Sequence, residues 1–418
     1  MINLSLEWNV ATIGELCSNV SSGGTPKSTN EKYYGGDIPW LNTKEINFNR
    51  IYDTEKHITK EGYENSAAKW VKKDSVIVAM YGATAAKVAM NMVDLTTNQA
   101  CCNLTIDKSL ANPKFVYYYL YSNYERLLNL ASGAAQQNLN SNIIKEFPIN
   151  IPSLNVQNEI VNLLSTIDDK IELNQKINQN LENIASNIFK RYFLDYAPFQ
   201  NLTFNESIIG DVPNEWNFIK IKDIVDVRDG THDSPSAVEV GFPLITSKHL
   251  NKYDVNKKEA NKISFEDYTN INKRSLVEPF DILISMIGTV GNICYIMYDE
   301  IDFAIKNVGL FKTSKNPLLR EYLLLYLKSN IVTQYIDSHL AGSTQKYISL
   351  TELRNIPIVI PPNEILTDFK DIINPIFNNI KINNLEINTL INLRDILLPK
   401  LMSGEIDVSK INLNYNKD

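Results

Sequence analysis

The sequence predicts an α+β protein in which two copies of one mixed α/β domain are separated by two long helices that pair as an antiparallel coiled coil. Three observations indicate this fold. Blocks of sequence recur in order about half a chain apart, each copy combines short apolar strands with a helical stretch, and each copy is followed by a polar segment with a seven-residue apolar period. Two equivalent halves of one chain would be related by a pseudo-twofold axis.

Length, composition and charge exclude several classes of protein. A chain of 418 residues is too long for one ordinary core, so two or three domains are expected. It carries 41 basic and 48 acidic side chains, a net charge of -7, which argues against a simple basic nucleic-acid binder. The four cysteines form no CxxC pair, as expected of reduced thiols in a cytoplasmic protein.

No segment predicts a membrane span or a secretory signal. Residues 1–8 hold no basic stretch followed by an apolar run. The charge-free run from Ile282 to Tyr298 is short for a spanning helix and contains Gly288 and Gly291 between two β-rich stretches. We therefore interpret it as a buried β-hairpin and expect no contact with a membrane.

Six blocks of sequence recur in the same order, and this internal repeat is the most informative feature of the chain. EWNVATIGEL from Glu7 returns as EWNFIKIKDI from Glu215, and the GT that begins at Gly24 returns at Gly230, an offset of 206. The other pairs are IPWLNTKEIN with FPLITSKHLN, MYG with MIG, SGAAQQNL with AGSTQKYI, and FPINIP with IPIVIP. Small drifts in offset fall between blocks, where loops tolerate insertions. The chain therefore contains a duplicated domain.

Each copy predicts mixed α and β structure. DIPWLNTK and DSVIVAMYG have strand character, whereas Asn112 to Leu130 and the matching stretch from Asn316 to Ile336 predict helices. Each copy ends in a proline-bounded strand, INIP or IVIP. The predicted bounds are 1–152 for the first domain, 153–198 for the first long helix, 199–361 for the second domain, and 362–418 for the second long helix with its C-terminal tail.

The two long segments have the pattern of a coiled coil. Apolar residues recur every seven positions in both, and neither proline nor glycine lies between Pro152 and Pro198. Asparagines interrupt each seam near its middle, a known way to fix register at some cost in stability: Asn174 and Asn178 in the first, Asn383 and Asn384 in the second. Pro375 predicts a break or kink early in the second segment. Two core helices of ordinary domains are the alternative interpretation.

No catalytic or metal-binding arrangement is evident in the sequence. There is no GxxxxGK[ST] loop for nucleotide phosphates and no GxGxxG after a strand. The four histidines are scattered, without HxxxH spacing or neighbouring cysteines, so no metal site is expected. We interpret the chain as non-catalytic and expect it to bind no cofactor of its own.

The whole chain resembles the specificity (S) subunits of Type I restriction–modification systems. The most specific stretches are LLSTIDDKIELNQKINQNLENIASNIFKRYF from Leu163 and NLRDILLPKLMSGEI from Asn392, which look like the two conserved helical regions of that family. The resemblance implies two target recognition domains, each reading one half of a bipartite, asymmetric sequence in double-stranded DNA, with helices that set the gap between the halves. It also implies that the helices bind two methyltransferase (M) subunits and that restriction (R) subunits join that core. S-adenosylmethionine, ATP and Mg would then be held by these partner subunits.

The resemblance also explains the acidic composition. Residues 1–150 carry 14 basic and 14 acidic side chains, and residues 201–361 carry 17 and 20, a net of -3. Neither domain has the charge to hold DNA by counterion release alone. In the family the M subunits close around the duplex and share that task, so we expect weak DNA binding by the isolated chain.

Candidate DNA contacts come from polar residues that occupy loop positions in both copies, because such groups can hydrogen-bond base edges or phosphates. Gln and Asn pair with adenine, and Lys with guanine, in the major groove. The alternative for each residue is an ordinary polar turn, and Trp8, Trp216, Pro39 and Pro243 are expected in the core or in turns. The candidates are Thr25, Thr43, Lys44, Thr84, Gln136, Gln137 and Asn138 in the first copy, and Thr231, Ser247, Lys248, Thr289, Ser343, Thr344, Gln345, Lys346 and Tyr347 in the second.

Two other classes of function remain open at this point. The first is a coiled-coil scaffold that holds two protein-binding modules and makes no DNA contact. The second is an enzyme with a divergent site, which the missing motifs disfavour. Binding of a methyltransferase partner separates DNA recognition from the scaffold, and methyl transfer by the purified chain alone would indicate the enzyme.

Overall fold

The computed structural model describes residues 8–131, 138–207 and 210–408. The chain divides into two compact units, one of Met1–Ile171 with Thr389–Asp418 and one of Glu172–Asn388. We refer to them as unit 1 and unit 2. Within the described ranges, no helix combines the length and apolar character needed to cross a membrane.

Unit 1 contains the first copy of the repeat and combines short strands with short helices. Its strands are β1 (Asn9–Thr12), β2 (Cys17–Ser22), β3 (Tyr34–Leu41), β4 (Asn49–Ile51), β5 (His57–Ile58), β6 (Trp70–Val71), β7 (Val76–Ala79), β8 (Val88–Asn91), β9 (Leu95–Thr97), β10 (Cys101–Ile106) and β11 (Pro148–Ile151). Its short helices are α1 (Lys60–Glu64), α2 (Pro113–Ser122), α3 (Tyr124–Asn129) and α4 (Ser141–Glu146).

Three sheets organise unit 1, with strand orders β2-β10-β7-β8-β4, β5-β3-β9-β6 and β1-β11. The central strand β7 reads VIVA and is buried along its whole length, which is why it lacks the alternation of a half-exposed strand. Helix α2 begins at Pro113 with Asn112 as its cap and buries most of its side chains against this sheet. The core of the unit therefore lies between the central sheet and α2.

The first long helix, α5, spans Leu154–Phe193 and runs from unit 1 into unit 2. Unit 2 contains the strands β12 (Phe204–Ser207), β13 (Gly210–Pro213), β14 (Asn217–Lys220), β15 (Val227–Asp229), β16 (Phe242–Ile245), β17 (Lys262–Ile263), β18 (Ile282–Ser285), β19 (Ile293–Tyr295), β20 (Ala304–Ile305), β21 (Val308–Phe311) and β22 (Pro357–Ile360). Its short helices are α6 (Phe265–Ser275), α7 (Arg320–Leu327), α8 (Asn330–Ser338) and α9 (Leu350–Asn355), and the second long helix is α10 (Asn363–Met402).

The strand topology of unit 2 repeats that of unit 1. The order β15-β21-β18-β19 corresponds to β2-β10-β7-β8, and β14 pairs with β22 as β1 pairs with β11. The parallel pair β16–β20 likewise corresponds to the parallel pair β3–β9. The two mixed α/β copies predicted from the sequence repeat are therefore confirmed.

Several predicted elements can be compared with the structure directly. The stretch from Ile282 to Tyr298 contains β18 and β19 as an antiparallel pair, so the hairpin is confirmed. The single helices predicted at 112–130 and 316–336 are each two helices, α2 with α3 and α7 with α8. Asn123 and Ser329 lie at the two junctions, and Asn123 donates from its side chain to the Tyr119 carbonyl (2.9 Å), a competition with backbone bonding that favours a helix end.

Helix α10 continues through Pro375, so the prediction of a break at that residue is wrong, whereas a kink there stays a prediction. Proline removes one helical hydrogen bond and crowds the preceding turn. In compensation, Phe369, Ile373, Phe377 and Ile380 are all buried in the core of unit 2 on both sides of the proline. Tertiary packing of this apolar face outweighs the local cost of Pro375.

The asparagines of the long helices form hydrogen bonds in unit 2. Asn178 donates from Nδ2 to Oδ1 of Asn384 (3.0 Å) and accepts at Oδ1 from Nδ2 of Asn383 (2.8 Å). Asn174 donates to Oε2 of Glu386 (2.7 Å), a partner that the seam pattern did not predict. Asn174 pairs with Glu386, and Asn178, further along α5, pairs with residues earlier in α10. The two helices therefore run antiparallel in this unit. The buried side chains of Asn174 and Asn178, which would be costly to bury alone, are thereby paired.

Unit 2 also contains a buried ion cluster beneath β21. Nζ of Lys312 lies 2.6 Å from Oδ2 of Asp281 and 2.5 Å from Oε2 of Glu278, and the side chains of Lys312 and Asp281 are 2 % and 0 % exposed. Lys312 also donates to the carbonyl of Leu276. This cluster ties the strand end of β21 to the loop that precedes β18.

We predict that Lys312→Ala destabilises unit 2 by about 3–5 kcal/mol, because it leaves the buried Asp281 carboxylate without a cation. Lys108→Ala is the matched control, since Lys108 and Asp74 form an exposed pair in unit 1 that should contribute about 0–1 kcal/mol. Native-state amide hydrogen exchange over residues 276–315 measures the loss. Equal exchange rates in the two variants would show that the cluster does not support the fold.

Candidate nucleic-acid interface

In unit 1 the predicted loop residues meet around residues 98–100, the connection between β9 and β10. Four hydrogen bonds join this connection and its neighbours: Asn98 N to the Leu41 carbonyl (3.0 Å), Met80 N to the Ala100 carbonyl (2.8 Å), Leu139 N to the Met80 carbonyl (2.8 Å), and the Thr25 hydroxyl to Oε1 of Gln99. These bonds bring together the loop after β2, the end of β3, the end of β7 and the segment before α4. We call this set of segments the first loop cluster.

The candidates of the first copy lie at the ends of these segments. Thr25 and Lys44 are exposed, whereas Thr43 and Thr84 are half-buried. The turn that contains Thr43 and Lys44 lies against the turn of Gly82–Thr84. Asn138 is exposed beside Leu139, whereas Gln136 and Gln137 lie outside the described residues.

Lys44 is not a free cation in this structure. Its Nζ lies 2.5 Å from Oε2 of Glu55, and both side chains are 58 % exposed. The Glu55 carboxylate raises the pKa of Lys44 through this hydrogen bond and its charge. Lys44 can approach a phosphate or a base only by exchanging this surface partner, and such an exposed pair costs little to break.

In unit 2 the corresponding meeting point is residues 305–308, the connection between β20 and β21. Its hydrogen bonds are Thr231 N to the Ile305 carbonyl (3.0 Å), Asn307 N to the Thr231 carbonyl (3.1 Å), Lys306 N to the Ile245 carbonyl (2.8 Å), and the Ser247 hydroxyl to the Asn307 carbonyl (3.4 Å). Thr231 and Ser247 are therefore held together, with the exposed Lys248 next to Ser247. We call these segments the second loop cluster.

The turn at residues 341–347 extends the second loop cluster. Gly288 N donates to the carbonyl of Lys346 (3.2 Å), and Ile348 N donates to the carbonyl of Met286 (2.9 Å). This places Thr289 and the exposed residues Ser343, Thr344, Gln345, Lys346 and Tyr347 at one end of β18. The bond from Ile348 matches the bond from Leu139 to Met80 in unit 1, so Asn138 and Tyr347 occupy equivalent positions.

The structure corrects the pairing of the glycine loops by one residue. A Cβ on Gly23 would lie 1.9 Å from the Thr97 carbonyl oxygen, and one on Gly230 would lie 2.2 Å from that of Ile305. Gly24 N then donates to Thr97 as Thr231 N donates to Ile305. Gly23 is therefore the counterpart of Gly230, and Thr25 corresponds to His232 rather than to Thr231.

Sequence comparison of the copies missed His232 and its partners. Nδ1 of His232 lies 2.7 Å from Oδ1 of Asn307, and its Nε2 donates to Oδ2 of Asp229 at 2.9 Å. The Oδ1 of Asp229 accepts from Nη2 of Arg274 at 2.7 Å. Asn307 has the left-handed backbone conformation (φ 53°), which Asn tolerates better than most residues. The one-residue shift in the pairing of the glycine loops concealed His232, and its partner Asn307 is far from it in the sequence.

The chemistry of both loop clusters is that of hydrogen bonding. Hydroxyls, amides and a few cations project from turns whose backbones are held by the bonds described above. No group of three or more His, Cys, Asp or Glu side chains with metal-binding geometry occurs in residues 8–131, 138–207 and 210–408. The arrangement is suited to reading polar edges rather than to acid–base or metal chemistry.

Comparison with protein families identifies the class to which this chain belongs. The model of the Type I restriction modification DNA specificity domain matches residues 5–183 and, a second time, residues 213–393. The two matches cover most of the sequence, so the chain belongs to this family, and its duplicated domain is the DNA specificity domain.

Individual relatives agree with this assignment over almost the whole chain. The chain is 28% identical to the specificity subunit of the Type I restriction enzyme MjaIX from Methanocaldococcus jannaschii, over 97% of this chain and 95% of that protein. It is 22% identical to the specificity subunit of the HindI enzyme from Haemophilus influenzae, over 96% of this chain and 100% of that protein. The crystal structure of a Type I S subunit from M. genitalium shares the fold, with a TM-score of 0.55, 18% identity, and coverage of 96% and 97%.

We predict that Asn307→Val loosens the second loop cluster, because a β-branched side chain at positive φ is strained by about 1–3 kcal/mol. Hydrogen exchange of residues 229–235 and 245–250 should accelerate. Asn307→Gly is the control, since glycine keeps the backbone conformation and removes only the contact to His232. Unchanged exchange in the valine variant would show that Asn307 does not hold these loops.

Proposed function

We propose that this chain is the sequence-specific DNA-recognition subunit of a Type I restriction–modification complex and has no catalytic activity of its own. The family match over both copies supports this function most directly. The loop clusters support it further, because in each copy hydroxyl and amide groups project from turns whose backbones are held by hydrogen bonds. Such groups can read base edges and phosphates.

Each recognition domain reads one half of a bipartite, asymmetric target. The domains proposed for this task are residues 1–152 and 199–361. The support is that equivalent positions of the two loop clusters carry different side chains, Thr25 against His232 and Asn138 against Tyr347. A shared frame with different reading groups is what two unequal half-sites require.

The long helices, within residues 153–198 and 362–418, pair as an antiparallel coiled coil and set the gap between the half-sites. In this proposal they relate the two domains by a pseudo-twofold axis. The hydrogen bonds of Asn178 with Asn383 and Asn384 support such a register, because polar positions inside a coiled coil fix the alignment of its helices.

The same helices dock two methyltransferase subunits, and restriction subunits join through that complex. Exposed apolar side chains on the helix surfaces within unit 2 support this docking role: Leu173 (52 % exposed), Ile177 (38 %) and Ile184 (48 %) on α5, and Ile382 (60 %) and Leu385 (51 %) on α10. S-adenosylmethionine, ATP and Mg are assigned to the partner subunits, and the complex to the cytoplasm.

A scaffold with two protein-binding modules is the weaker alternative. Its modules would be expected to present apolar and aromatic side chains at their loop ends, as protein interfaces do. The loop clusters instead present mainly threonine, serine, glutamine, asparagine and lysine. A divergent enzyme is weaker still, because the contact of the Thr246 hydroxyl with Nδ1 of His249 (3.3 Å) in the second loop cluster caps a turn and leaves His249 buried.

We expect the recognition domains to be modular. Replacing residues 7–151 with the first recognition domain of another such subunit should change one half-site and leave the other, because the two loop clusters lie in different domains. Methylome sequencing of a host carrying the hybrid together with its M subunit provides the readout. The native motif is identified separately, as the one bipartite methylated motif that is lost when the native gene is deleted. Simultaneous change of both halves would contradict independent reading.

We further expect that lengthening the helices widens the gap. Inserting one heptad beside Asn178 and one beside Asn384 keeps the seam in phase and adds about 10 Å at 1.5 Å per residue. Base pairs rise about 3.4 Å along the duplex, so the gap should grow by up to about three of them. Both half-sites should stay unchanged in the methylation map. An active variant with the original gap would show that the helices do not set the spacing.

A further inference from the structure

A surface cleft adjoins the second loop cluster and lies entirely within unit 2. Its volume is about 510 Å³, and it is lined by the loop after β15 and by one face of α6. The lining residues used below are Thr231, His232, Asp233, Asp267, Asn270 and Arg274. The sequence repeat did not reveal this cleft, because α6 has no counterpart of equal length in the first copy.

Helix α6 is built as a rigid support for one polar face. Ser264 caps its start by accepting from Asp267 N (3.1 Å). Tyr268 fixes its inner side by stacking on Phe242, with ring centroids 4.1 Å apart. Asp267, Asn270 and Arg274 follow each other at intervals of three and four residues, so they share one face of the helix.

Arg274 is both anchored and exposed. Its Nη2 donates to the Asp229 carboxylate (2.7 Å) and to the carbonyls of Asp229 (3.2 Å) and Gly230 (2.9 Å). The Asp229 side chain is 7 % exposed, whereas the Arg274 side chain is 60 % exposed. Nη1 and Nε of Arg274 donate to no residue in the described part of the chain. A guanidinium held at one corner therefore keeps donors for a ligand.

His232 completes this arrangement from the opposite side. It donates to the second oxygen of the same Asp229 carboxylate, so one buried anion orients both an imidazole and a guanidinium. Because His232 is also bonded to Asn307, the group is tied to the connection that holds the second loop cluster. The side chains around the cleft are thus placed by the fold before any ligand arrives.

The charges around the cleft favour a base pair over a phosphate. Asp233 and Asp267 lie in the same lining as Arg274, and their carboxylates would repel an anion. The major-groove edge of a G·C pair offers two acceptors on guanine and an amino donor on cytosine. Arginine paired with guanine is the commonest specific contact in that groove, and a carboxylate can accept from the cytosine amino group.

We propose that α6 is a base-reading element of the second recognition domain, with Arg274 recognising a guanine and Asp229 acting as the positioning residue. This inference rests on the function proposed above and specifies its reading groups. From Asp267 to Arg274 the helix rises about 10 Å, which is about three base-pair steps. The major groove is wide enough to admit such a helix.

The first copy has no helix equivalent in length to α6, and this difference between the copies fits an asymmetric target. Helix α1 follows β5 as α6 follows β17, but α1 has 5 residues and α6 has 11. In the second copy Gly230 accepts a hydrogen bond from Arg274, whereas in the first copy Gly24, the residue after the counterpart Gly23, packs against the backbone of Ala67 and Ala68. The two domains therefore present different groups at related places in their loop clusters.

The test is the methylome of a host that carries the full complex with variant S subunits. Arg274→Ala should relax the preference for guanine at one position of one half-site by about 10- to 150-fold, the size of one hydrogen bond from a charged donor. Arg274→Gln keeps a hydrogen-bonding group beside Asp229 and should shift the same position toward adenine, which glutamine recognises. The other half-site should be unchanged in both variants.

Lys273→Ala is the matched control, because it removes the same charge from the neighbouring position of α6. If Lys273 contacts a phosphate, its loss lowers methylation evenly without changing base preference. Asp229→Asn should relax the same guanine position as Arg274→Ala, a readout that a purely structural role would not move. If the complexes with Arg274 variants still methylate DNA and their recognition motif is unchanged, the inference is wrong. Absence of any bipartite motif with the wild-type chain would instead overturn the proposed function.

Discussion

The arrangement of both loop clusters depends on one close approach of backbone to backbone. In each copy a glycine after the first strand of the central sheet lies against a carbonyl at the end of a strand of another sheet, Gly23 against Thr97 of β9 and Gly230 against Ile305 of β20. A Cβ at either position would overlap that carbonyl, so no other residue allows the contact. The next backbone amide then donates to the same carbonyl and fixes where the following side chain, Thr25 or His232, is presented.

This constraint separates two parts of each domain, the hydrogen-bonded backbone of the loops and the side chains that the loops present. The frame is common to both copies and consists of backbone bonds, such as those from Leu139 to Met80 and from Ile348 to Met286. Backbone bonds carry no sequence information toward a ligand. The side chains mounted on them differ between the copies, and α6 extends the difference by a whole helix. Residues that the copies share position the loops, and under the proposed function the residues that differ distinguish the two half-sites.

The long helices show how packing overrides local preference. Pro375 lies inside α10, yet the apolar residues on both sides of it are buried and the helix continues. Asn174 and Asn178 are nearly inaccessible and would be costly to bury alone, and each is paired across the two helices within unit 2. Apolar burial therefore supplies the stability of these segments, while the paired amides limit how the helices can align.

The sequence by itself determined the duplication, the mixed α/β character of each copy, the buried hairpin from Ile282 and the two long helices. These features depend on periodicity and on the order of blocks, which are local properties of the chain. It also identified several loop residues, among them Ser247 and Lys346, that the fold brings into one cluster. Only the tertiary structure decided the partner of Asn174, the continuity of α10 through Pro375, and the pairing of Thr25 with His232. It alone brought Asp229, His232, Arg274 and Asn307 together, because contacts between residues far apart in sequence are set by strand register and close packing rather than by any local pattern.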